Sequence, residues 1–547
     1  MKQIKLNVEN YGFYEYPFGI SLYEVCEDLK INYEVVGAKI NNELTPLTTR
    51  MVQDTSIKFI DSVDLAGYKM YKAGLQFIFE VALKETFPEF EVLYEHSVPK
   101  GLLAEIVGNR ILTQKEIGII KGNMAKMIAE DLKFEKYNIS KRDAIEYYEK
   151  NNQLEKARNI ENCGEDIVTL YKLKENLNYY YTEMPYTTKS ISKFDLVYLG
   201  NNRLVFLWPS ARSEGKVPEY VHYGNIIKSF LNGKNWLEKM EVPYLADLNE
   251  LVSLSKIKNL IEANELLFNQ SIAACAEAIA NNNEKKVVLI AGPSSAGKTT
   301  TTKRLSAYLR VKGLNPISIS VDDYFVDREK TPKDENGNYD FECLMAIDVE
   351  RFNRDLMDLL NGKSVDLPVY DFVAGTHTNS GKVVSLAEDG IILIEGLHAL
   401  NDDLTPHISN LLKYKIYLSP FIPLNIDKHN YISTLDLRLL RRIIRDNRTR
   451  GLDVSGTIKI WQSVRNGEER YIFPYIHQAD TIINTALSYE LGVVRVYAEP
   501  LLYSVGIDSP YYEEARRLIN FLKRFYLIPT EYVPKDSILR EFIGYGE

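Results

Sequence analysis

The spacing of apolar and polar residues changes several times along the chain, and each change predicts a different element. Residues 21–29 repeat apolar positions as a short helix does, and Asn41-Asn42 is typical of a turn. Residues 2–8 alternate apolar and polar positions like a strand, and residues 35–40 and 55–60 are also predicted to be strands. Strand, helix and hairpin in this order predict a small β-grasp module in residues 1–62.

Helical spacing is the main signal in the next part of the chain, which we interpret as an α+β domain over residues 63–240. Tyr68 to Lys84 carries apolar residues at helical spacing and precedes a short strand. Residues 196–209 form a predicted hairpin with Gly200-Asn201-Asn202 as its turn. Charged segments predicted to be helical cover residues 114–148 and 154–176.

A long amphipathic helix predicted at residues 255–281 belongs to a helical connector over 241–284. From residue 285 to about 500, strands and helices alternate, which predicts a doubly wound parallel sheet. Its predicted strands are 287–291, 317–321, 390–394, 414–418, 481–484 and 493–497. A helix over 510–526 marks a C-terminal helical extension, 501–547. The whole chain is therefore predicted to be multidomain α/β.

Composition narrows the function classes. The chain has 547 residues, 45% of them hydrophobic, a net charge of −9 and a pI near 5.6, so no global basic field would recruit nucleic acid. Its four cysteines are far apart and form no C-x-x-C pair, which indicates reduced thiols. No apolar stretch reaches 18 residues and no secretory h-region is present at the N-terminus. We expect a cytoplasmic protein without membrane contact.

A phosphate-binding loop is the strongest chemical signal. Residues 287–301 read VVLIAGPSSAGKTTT, which contains G-x-x-x-x-G-K-[ST] between a predicted strand and a predicted helix. Backbone N–H groups and the helix N-terminus would hold the phosphates of a nucleoside triphosphate, with Lys298 on the outer phosphates and the Thr299 hydroxyl on Mg²⁺. The alternative is a Gly-rich turn with a chance Lys-Thr, which this context disfavours. The predicted nucleotide-binding residues are Gly292, Pro293, Ser294, Ser295, Ala296, Gly297, Lys298, Thr299 and Thr300.

Carboxylates follow two other strands of the predicted sheet. Asp322 and Asp323 follow ISISV, and Glu395 follows GIILI. Ligands of parallel sheets bind beyond the carboxyl ends of the strands, so these side chains should face the phosphates. One carboxylate could accept the proton of an acceptor hydroxyl, and another could complete the Mg²⁺ shell. The alternative for each residue is a helix cap.

An arginine-rich helix is predicted between Leu435 and Gly451. Arginines at spacings of three and four share one face, and only Asp436 and Asp446 are expected to oppose them. Such a face would repel itself unless anions meet it, and a triphosphate is the natural candidate. The alternatives are a solvated basic face or an RNA-facing patch.

These motifs together resemble the uridine kinase and phosphoribulokinase family. The matching pieces, in the order of that family, are GPSSAGKTT, SVDDYF, NYDF near Asn338, LPVYDF from Leu367, IEGLHAL from Ile394 and the lid ending RTRG. The resemblance implies that Asp322 is the catalytic base, with Lys298 and Arg445 also catalytic. It implies a magnesium site formed by Thr299, Glu395 and Asp322. The acceptor-binding residues it implies are Asp340, Tyr370, His377, Arg442 and Arg450.

The chain departs from that family where the base of the acceptor is read. Gly375 occupies the position of a base-contacting histidine, and His377 follows two residues later. Leu452 stands where the family has an arginine, and no glutamine matches near Ile460. The sugar-binding half of the site is kept while the base-reading half is altered, so a nucleoside acceptor is implied but not uridine itself.

The N-terminal half resembles the TGS domain, in GAKINNELTPLTTRMVQDTSIKFI, and then the second domain of threonyl-tRNA synthetase, in ALKETFP. The TGS resemblance implies a binding or docking module, with RNA as a candidate partner. The alternative is a β-grasp cap with a structural role alone. In those synthetases two histidines serve proofreading, but the aligned residues here are Phe77 and Val81. Editing chemistry is therefore expected to be absent, and the lone His96 is expected to be structural.

The leading hypothesis is an ATP- and Mg²⁺-dependent kinase that phosphorylates a hydroxyl of a nucleoside. A sugar phosphate is the alternative acceptor, and an ATP-switched regulator that binds RNA or the ribosome is a hypothesis of another class. No N-K-x-D signature for guanine is present, which disfavours a GTPase. A homo-oligomer is compatible with the sequence, which indicates neither the preferred base nor a regulatory role for the N-terminal half.

Overall fold

A mixed sheet with one helix opens the chain. The computed structural model describes residues 2–31, 34–333, 337, 339–371 and 374–545. Across this sheet the order is β2-β1-β5-β3-β4, and β1 is parallel to β5. Its elements are β1 (Gln3–Val8), β2 (Gly12–Pro17), α1 (Leu22–Asp28), β3 (Gly37–Ile40), β4 (Glu43–Thr45) and β5 (Thr55–Ile60). The predicted strands and helix are present. The sequence pattern did not reveal β2, in which Tyr16 is the buried side chain.

The second part packs a long helix against an antiparallel sheet of order β11-β12-β7-β6, with a smaller sheet β10-β9-β8 beside it. Phe77 and Val81 on the long helix, α2, are buried in its apolar core. The elements are α2 (Leu65–Thr86), β6 (Glu91–Val98), β7 (Gly101–Val107), α3 (Gln114–Ala129), β8 (Glu135–Ser140), α4 (Lys141–Lys150), α5 (Leu154–Glu161), β9 (Ile167–Leu173), β10 (Asn176–Asn178), β11 (Asp195–Gly200) and β12 (Arg203–Leu207).

The predicted helices over 114–148 and 154–176 are wrong in part, because each of these segments contains a strand. β8 interrupts the first segment, and β9 replaces the end of the second. These two strands pair antiparallel with each other. In β8 every residue except Ile139 is exposed, so no apolar alternation marks it as a strand. Judged from the sequence alone, its charged residues indicate the solvated face of a helix.

A five-stranded parallel sheet forms the core of the C-terminal half, in the order β14-β17-β13-β18-β19. The predicted parallel sheet is thus confirmed, and its central strand β13 leads into the phosphate loop. The elements are α6 (Gly224–Lys239), α7 (Leu245–Ser253), α8 (Ile257–Ala280), β13 (Val287–Ala291), α9 (Lys298–Val311), β14 (Asn315–Ser320), α10 (Val349–Leu360), β15 (Val365–Asp371), β16 (Thr376–Val384), β17 (Gly390–Glu395), β18 (Lys413–Ser419), α11 (Thr434–Thr449), α12 (Val454–Tyr471), β19 (Thr481–Asn484), α13 (Glu490–Leu502), α14 (Tyr512–Leu522) and α15 (Arg540–Ile543).

The predicted strand at 493–497 is wrong, because this segment lies inside α13. Its run VVRVY is rich in β-branched residues, which favour strands when judged alone. Buried residues nevertheless recur every four positions along it, as on one face of a helix: Glu490, Val494, Ala498 and Leu502. The antiparallel pair β15–β16 was also not predicted from the sequence.

The N-terminal half packs directly on the C-terminal half through buried polar contacts. Tyr94 donates its backbone N–H to Lys428 O at 2.9 Å and accepts Asn425 Nδ2 at its own carbonyl at 3.0 Å. The Tyr179 hydroxyl donates to Asp427 Oδ2 at 2.6 Å. Because unpaired buried polar groups are costly, these contacts fix the orientation of the two halves. Among the described helices, none is long and apolar enough to cross a bilayer.

Candidate active site

The phosphate loop follows β13 and ends at the N-terminus of α9. Ser295 and Gly297 have φ angles of 60° and 80°, so the loop turns through left-handed backbone conformations. A Cβ atom at Gly292 would lie 2.7 Å from the Leu418 carbonyl oxygen, and this close approach requires glycine. Within the described part of the chain, the N–H groups of Gly297, Lys298 and Thr299 have no hydrogen-bond partner. Together with the helix dipole they form an anion site.

The two side chains predicted to contact phosphate and magnesium lie at this anion site. Lys298 Nζ donates to the carbonyl oxygens of Gly292 at 3.0 Å and Pro293 at 3.4 Å. Thr299 Oγ1 donates to Glu395 Oε1 at 3.0 Å. The sheet explains the latter contact, because Glu395 on β17 is in register with Ile290 on β13, just before the loop.

Asp322 and Glu395 follow neighbouring strands and face the loop from the same edge of the sheet. Glu395 is in register with Ser320, the last residue of β14, and Asp322 comes two residues later. Burial raises the pKa of Glu395 to about 7, the nearby Lys298 ammonium opposes this shift, and the Asp322 charge adds to it. Asp322 itself is exposed, and its carboxylate has no hydrogen-bond or ion-pair partner among the residues that the structure describes.

These oxygen atoms fit a magnesium ion that is also held by phosphate. Thr299 and Glu395 present a hydroxyl and a carboxylate within 3.0 Å of each other, and Mg²⁺ prefers such hard oxygen ligands. The described residues include no group of three or more His, Cys, Asp or Glu side chains that could hold a metal. A magnesium ion at Thr299 and Glu395 would therefore need further oxygens from the nucleotide or from water.

The arginine helix α11 is not the unopposed cationic face that the sequence indicated. Arg438 forms a close ion pair with Glu468 and donates Nε to Ser294 O at 2.9 Å. Arg441 forms a bidentate pair with Glu490 at 2.7 and 2.8 Å. The prediction that only Asp436 and Asp446 oppose these arginines is therefore wrong: the carboxylates come from distant α12 and α13.

The remaining site arginines gather around one buried carboxylate. Asp446 is fully buried and lies 3.0 Å from Arg442, 2.7 Å from Arg445 and 3.6 Å from Arg450. Arg442 also donates to Ser294 Oγ at 2.6 Å, and burial lowers its pKa to about 10. Asp446 thus orients the three predicted arginines beside the phosphate loop and cancels part of their charge.

The other three predicted acceptor residues, Asp340, Tyr370 and His377, fall on one hairpin and a neighbouring loop. Tyr370 on β15 is buried, and His377 is its cross-strand partner on β16, so both side chains share one face of the hairpin. His377 Nδ1 lies 3.4 Å from Asp327 Oδ1. Asp340 accepts the backbone N–H of Glu342 at 3.0 Å. The contact of Tyr370 with Phe325, at 5.6 Å between ring centroids, connects the hairpin to the turn that carries Asp322.

Two of the quoted motifs extend beyond the described residues. Asn338 of NYDF and Phe372 of LPVYDF lie outside them. Asp340 and Tyr370, the residues of these motifs with predicted roles, are described.

Three carboxylates at the site were not found from the sequence. Glu342 follows NYDF directly, and burial together with the charge of Glu468 raises its pKa to about 7. Glu468 accepts Ser294 N–H at 3.0 Å. Glu541, on α15, accepts Thr300 Oγ1 at 2.6 Å and Thr300 N–H at 3.3 Å. The adjacent NYDF motif could have indicated Glu342, whereas Glu468 and Glu541 reach the loop only through the fold.

Comparison with known proteins found matches to the C-terminal half of the chain. Residues 287–490 match the model described as the phosphoribulokinase / uridine kinase family. Uridine kinase from Bacillus subtilis (strain 168) is 30% identical over 179 residues, 32% of this chain and 76% of that protein. Uridine kinase from Staphylococcus carnosus (strain TM300) is 30% identical over 174 residues, which cover 32% of this chain and 75% of that protein. A solved structure described as a possible uridine kinase from Bacillus stearothermophilus is 24% identical, covering 37% of this chain and 89% of that chain, with a TM-score of 0.24.

Proposed function

The chain belongs to the phosphoribulokinase / uridine kinase family through residues 287–490, and from this premise we propose that it transfers the γ-phosphate of ATP to a hydroxyl of a nucleoside. One observation carries the proposal. The Asp322 carboxylate is exposed, has no hydrogen-bond partner in the described structure and follows β14. The neighbouring strand β17 ends at Glu395, which accepts a hydrogen bond from Thr299 of the phosphate loop. A proton acceptor and an anion site therefore meet at one edge of the sheet.

In the proposed reaction each residue has a separate task. Asp322 accepts the proton of the acceptor hydroxyl as its oxygen attacks the γ-phosphorus and ADP departs. The open N–H groups of Gly297, Lys298 and Thr299 hold the phosphates, and the Lys298 ammonium exchanges its two carbonyl partners for phosphate oxygens. Arg445, which Asp446 holds at 2.7 Å, would stabilise the charge that shifts during transfer.

Thr299 and Glu395 are the proposed magnesium ligands, and the bound ion would neutralise the phosphate charge during transfer. Glu395 must lose its proton to serve as a ligand, and its raised pKa places that ionisation near neutral pH. Asp322 remains a candidate third ligand at the same edge of the sheet.

The charge of the site favours a neutral acceptor over a sugar phosphate. The sequence suggested an excess of arginine, which would suit an anionic acceptor. The structure instead pairs Arg438 with Glu468 and Arg441 with Glu490, and it adds the Glu342 carboxylate close to Asp322. A phosphorylated sugar would meet more negative charge here than the sequence indicated. The hairpin face shared by Tyr370 and His377 suits a planar, uncharged ring.

The test is ADP formation with Mg·ATP and a panel of acceptors: ribonucleosides, deoxyribonucleosides, ribulose 5-phosphate and no acceptor. We expect turnover with one or more nucleosides, and a loss of about 10²- to 10⁴-fold in Asp322→Asn. Asp323→Asn is the matched control, because its carboxylate accepts the Tyr370 N–H at 3.4 Å and is not the proposed base. It should change turnover by less than about tenfold.

Other outcomes would reject the proposal in distinct ways. Turnover with ribulose 5-phosphate alone would keep the kinase and replace the acceptor. Hydrolysis of ATP that no acceptor accelerates, together with tight RNA binding, would favour the regulator hypothesis. Near-normal turnover in Asp322→Asn would remove Asp322 from the role of base.

A further inference from the structure

A cavity of about 460 Å³ lies where the N-terminal half meets the C-terminal half, apart from the residues assigned above to phosphate and acceptor binding. It is bounded by α2, by the segment 179–183, by the first turn of α11, and by α12 and α14. This volume is within the range of pockets that hold small molecules. Its lining combines cationic side chains with aromatic rings, and the balance between its charges indicates what it could bind.

Some of the lining charges already neutralise one another. Lys69 lies 3.0 Å from Glu514, and Arg517 pairs with Glu514 at 2.8 Å and with Asp436 at 2.7 Å. Glu183 is held by Lys136 at 2.6 Å. These ion pairs form part of the wall and leave little net charge there.

Three other cations of the lining have no carboxylate within ion-pair distance in the described structure: Lys72, Arg465 and Arg524. Arg465 is 9% exposed, and its buried Nε has no hydrogen-bond partner among the described residues. The buried Nε of Arg524 also lacks one. Among the described residues, Lys72 Nζ has one hydrogen-bond partner, the Tyr431 hydroxyl at 3.3 Å, and burial lowers its pKa to about 8, so it stays protonated at neutral pH. Arg465 is buried, and Lys72 and Arg524 are half-buried. Cations shielded from water without counter-charge are costly, and a bound anion would lower that cost.

Aromatic rings accompany these three cations. The Arg524 guanidinium lies 3.6 Å from the centre of the Tyr181 ring, and Lys72 Nζ lies 4.5 Å from that of Tyr431. Trp461 lines the same cavity from α12. Such rings stack with planar ligands. Among the described lining residues, Glu165 is the carboxylate that takes part in none of these ion pairs. Its side chain is exposed, so it does not neutralise the cations inside the cavity.

We propose that this cavity is a second binding site, for a small anion with a planar ring, of the size and charge of a nucleoside monophosphate. Lys72, Arg465 and Arg524 hold the anionic group, and the rings of Tyr181, Tyr431 or Trp461 stack on the planar part. The proposal does not rest on the proposed kinase activity, because none of these residues is assigned to catalysis.

A connection from this site to the phosphate loop follows from two contacts. Trp461 lies under the Arg438 guanidinium, 5.3 Å from ring centre to Cζ. Arg438 in turn holds Ser294 O at 2.9 Å. A ligand that stacks on Trp461 would therefore contact a side chain one step from the loop.

The test is calorimetric titration of the full chain, with saturating Mg·ADP present to occupy the phosphate loop. The probes are UMP, CMP, AMP, GMP and inorganic phosphate. We expect one-to-one binding of at least one monophosphate. Lys72→Gln and Arg524→Gln should each weaken it by roughly tenfold or more. Lys121→Gln, the same kind of change at a surface lysine paired with Asp195 outside the cavity, should leave the affinity unchanged.

Several outcomes would overturn the proposal. The first is the absence of monophosphate binding, and the second is an affinity for inorganic phosphate equal to that for the monophosphate. The third is monophosphate binding that is lost in Tyr370→Ala but kept in Lys72→Gln, which would place the bound monophosphate in the acceptor site of the kinase. Thermal unfolding of each variant checks the fold, and Lys72→Arg should retain binding because it keeps the charge. Loss of binding in Lys72→Arg as well as Lys72→Gln, with both variants folded, would also overturn the anionic role of Lys72.

Discussion

Replacing Glu490 by glutamine removes the counter-charge of Arg441 while keeping nearly the same side-chain volume. Both side chains are fully buried. Arg441 donates two hydrogen bonds to the Glu490 carboxylate, at 2.8 and 2.7 Å, and a third to Thr485 O at 2.8 Å. The variant would leave a guanidinium ion in the interior, and no other acidic side chain of the described structure lies within ion-pair distance of it.

Breaking a buried ion pair from one side costs about 3–5 kcal/mol, because the remaining charge is desolvated and uncompensated. We expect Glu490→Gln to lower the free energy of unfolding by an amount of that order. The comparison is Glu130→Gln, in which the pair with Lys126 spans 3.9 Å and both side chains are 40% or more exposed. An exposed pair contributes less than about 1 kcal/mol, so this control should unfold like the parent.

Urea denaturation, followed by fluorescence and by ATP-site occupancy, measures the difference. The Glu490→Gln midpoint should fall clearly below that of Glu130→Gln. The phosphate loop should lose its nucleotide early, because Arg441 also donates to Ser295 O at 3.3 Å. Replacing both partners, as in Arg441→Met with Glu490→Leu, should recover much of the stability. Equal midpoints for the two single variants would refute the assignment of a buried, uncompensated charge.

Three further predictions concern the phosphate loop. Lys298→Ala should raise the KM for ATP by roughly tenfold or more in steady-state assays, since a point charge on the phosphates is lost. Burial raises the pKa of Glu395 to about 7, so protons would compete with Mg²⁺ for its carboxylate below that pH. The Mg²⁺ concentration for half-maximal activity should therefore rise as pH falls from 8 to 6, and an unchanged concentration would contradict Glu395 as a magnesium ligand. Glu541→Gln should tighten nucleotide binding several-fold in a fluorescence titration, because the Glu541 carboxylate accepts hydrogen bonds from the Thr300 N–H and hydroxyl that a phosphate would otherwise receive. Weaker binding in this variant would show that Glu541 supports the nucleotide site instead.

Local patterns predicted the phosphate loop, the parallel sheet and the strand-end positions of Asp322 and Glu395, because each depends on neighbouring residues. The loop needs small residues between a strand and a helix within nine positions, and strand-end residues of a parallel sheet meet at one edge in any such fold. Strongly periodic segments such as α2 and α8 were predicted for the same reason. Predictions failed where the local signal was weak or misleading, as in the exposed β8 and the valine-rich α13.

The sequence by itself determined the phosphate loop, the kinase-type core and the residue types at its reactive edge, since these are written in contiguous motifs. Only the tertiary structure decided the charge of the site. Glu468 and Glu490 neutralise arginines 30 and 49 positions away, and Glu541 reaches Thr300 across 241 positions. A charge is compensated by whatever lies within a few ångströms of it, and distance along the chain does not reveal which residues those are. For the same reason the cavity with Lys72, Arg465 and Arg524 is visible only in the folded chain.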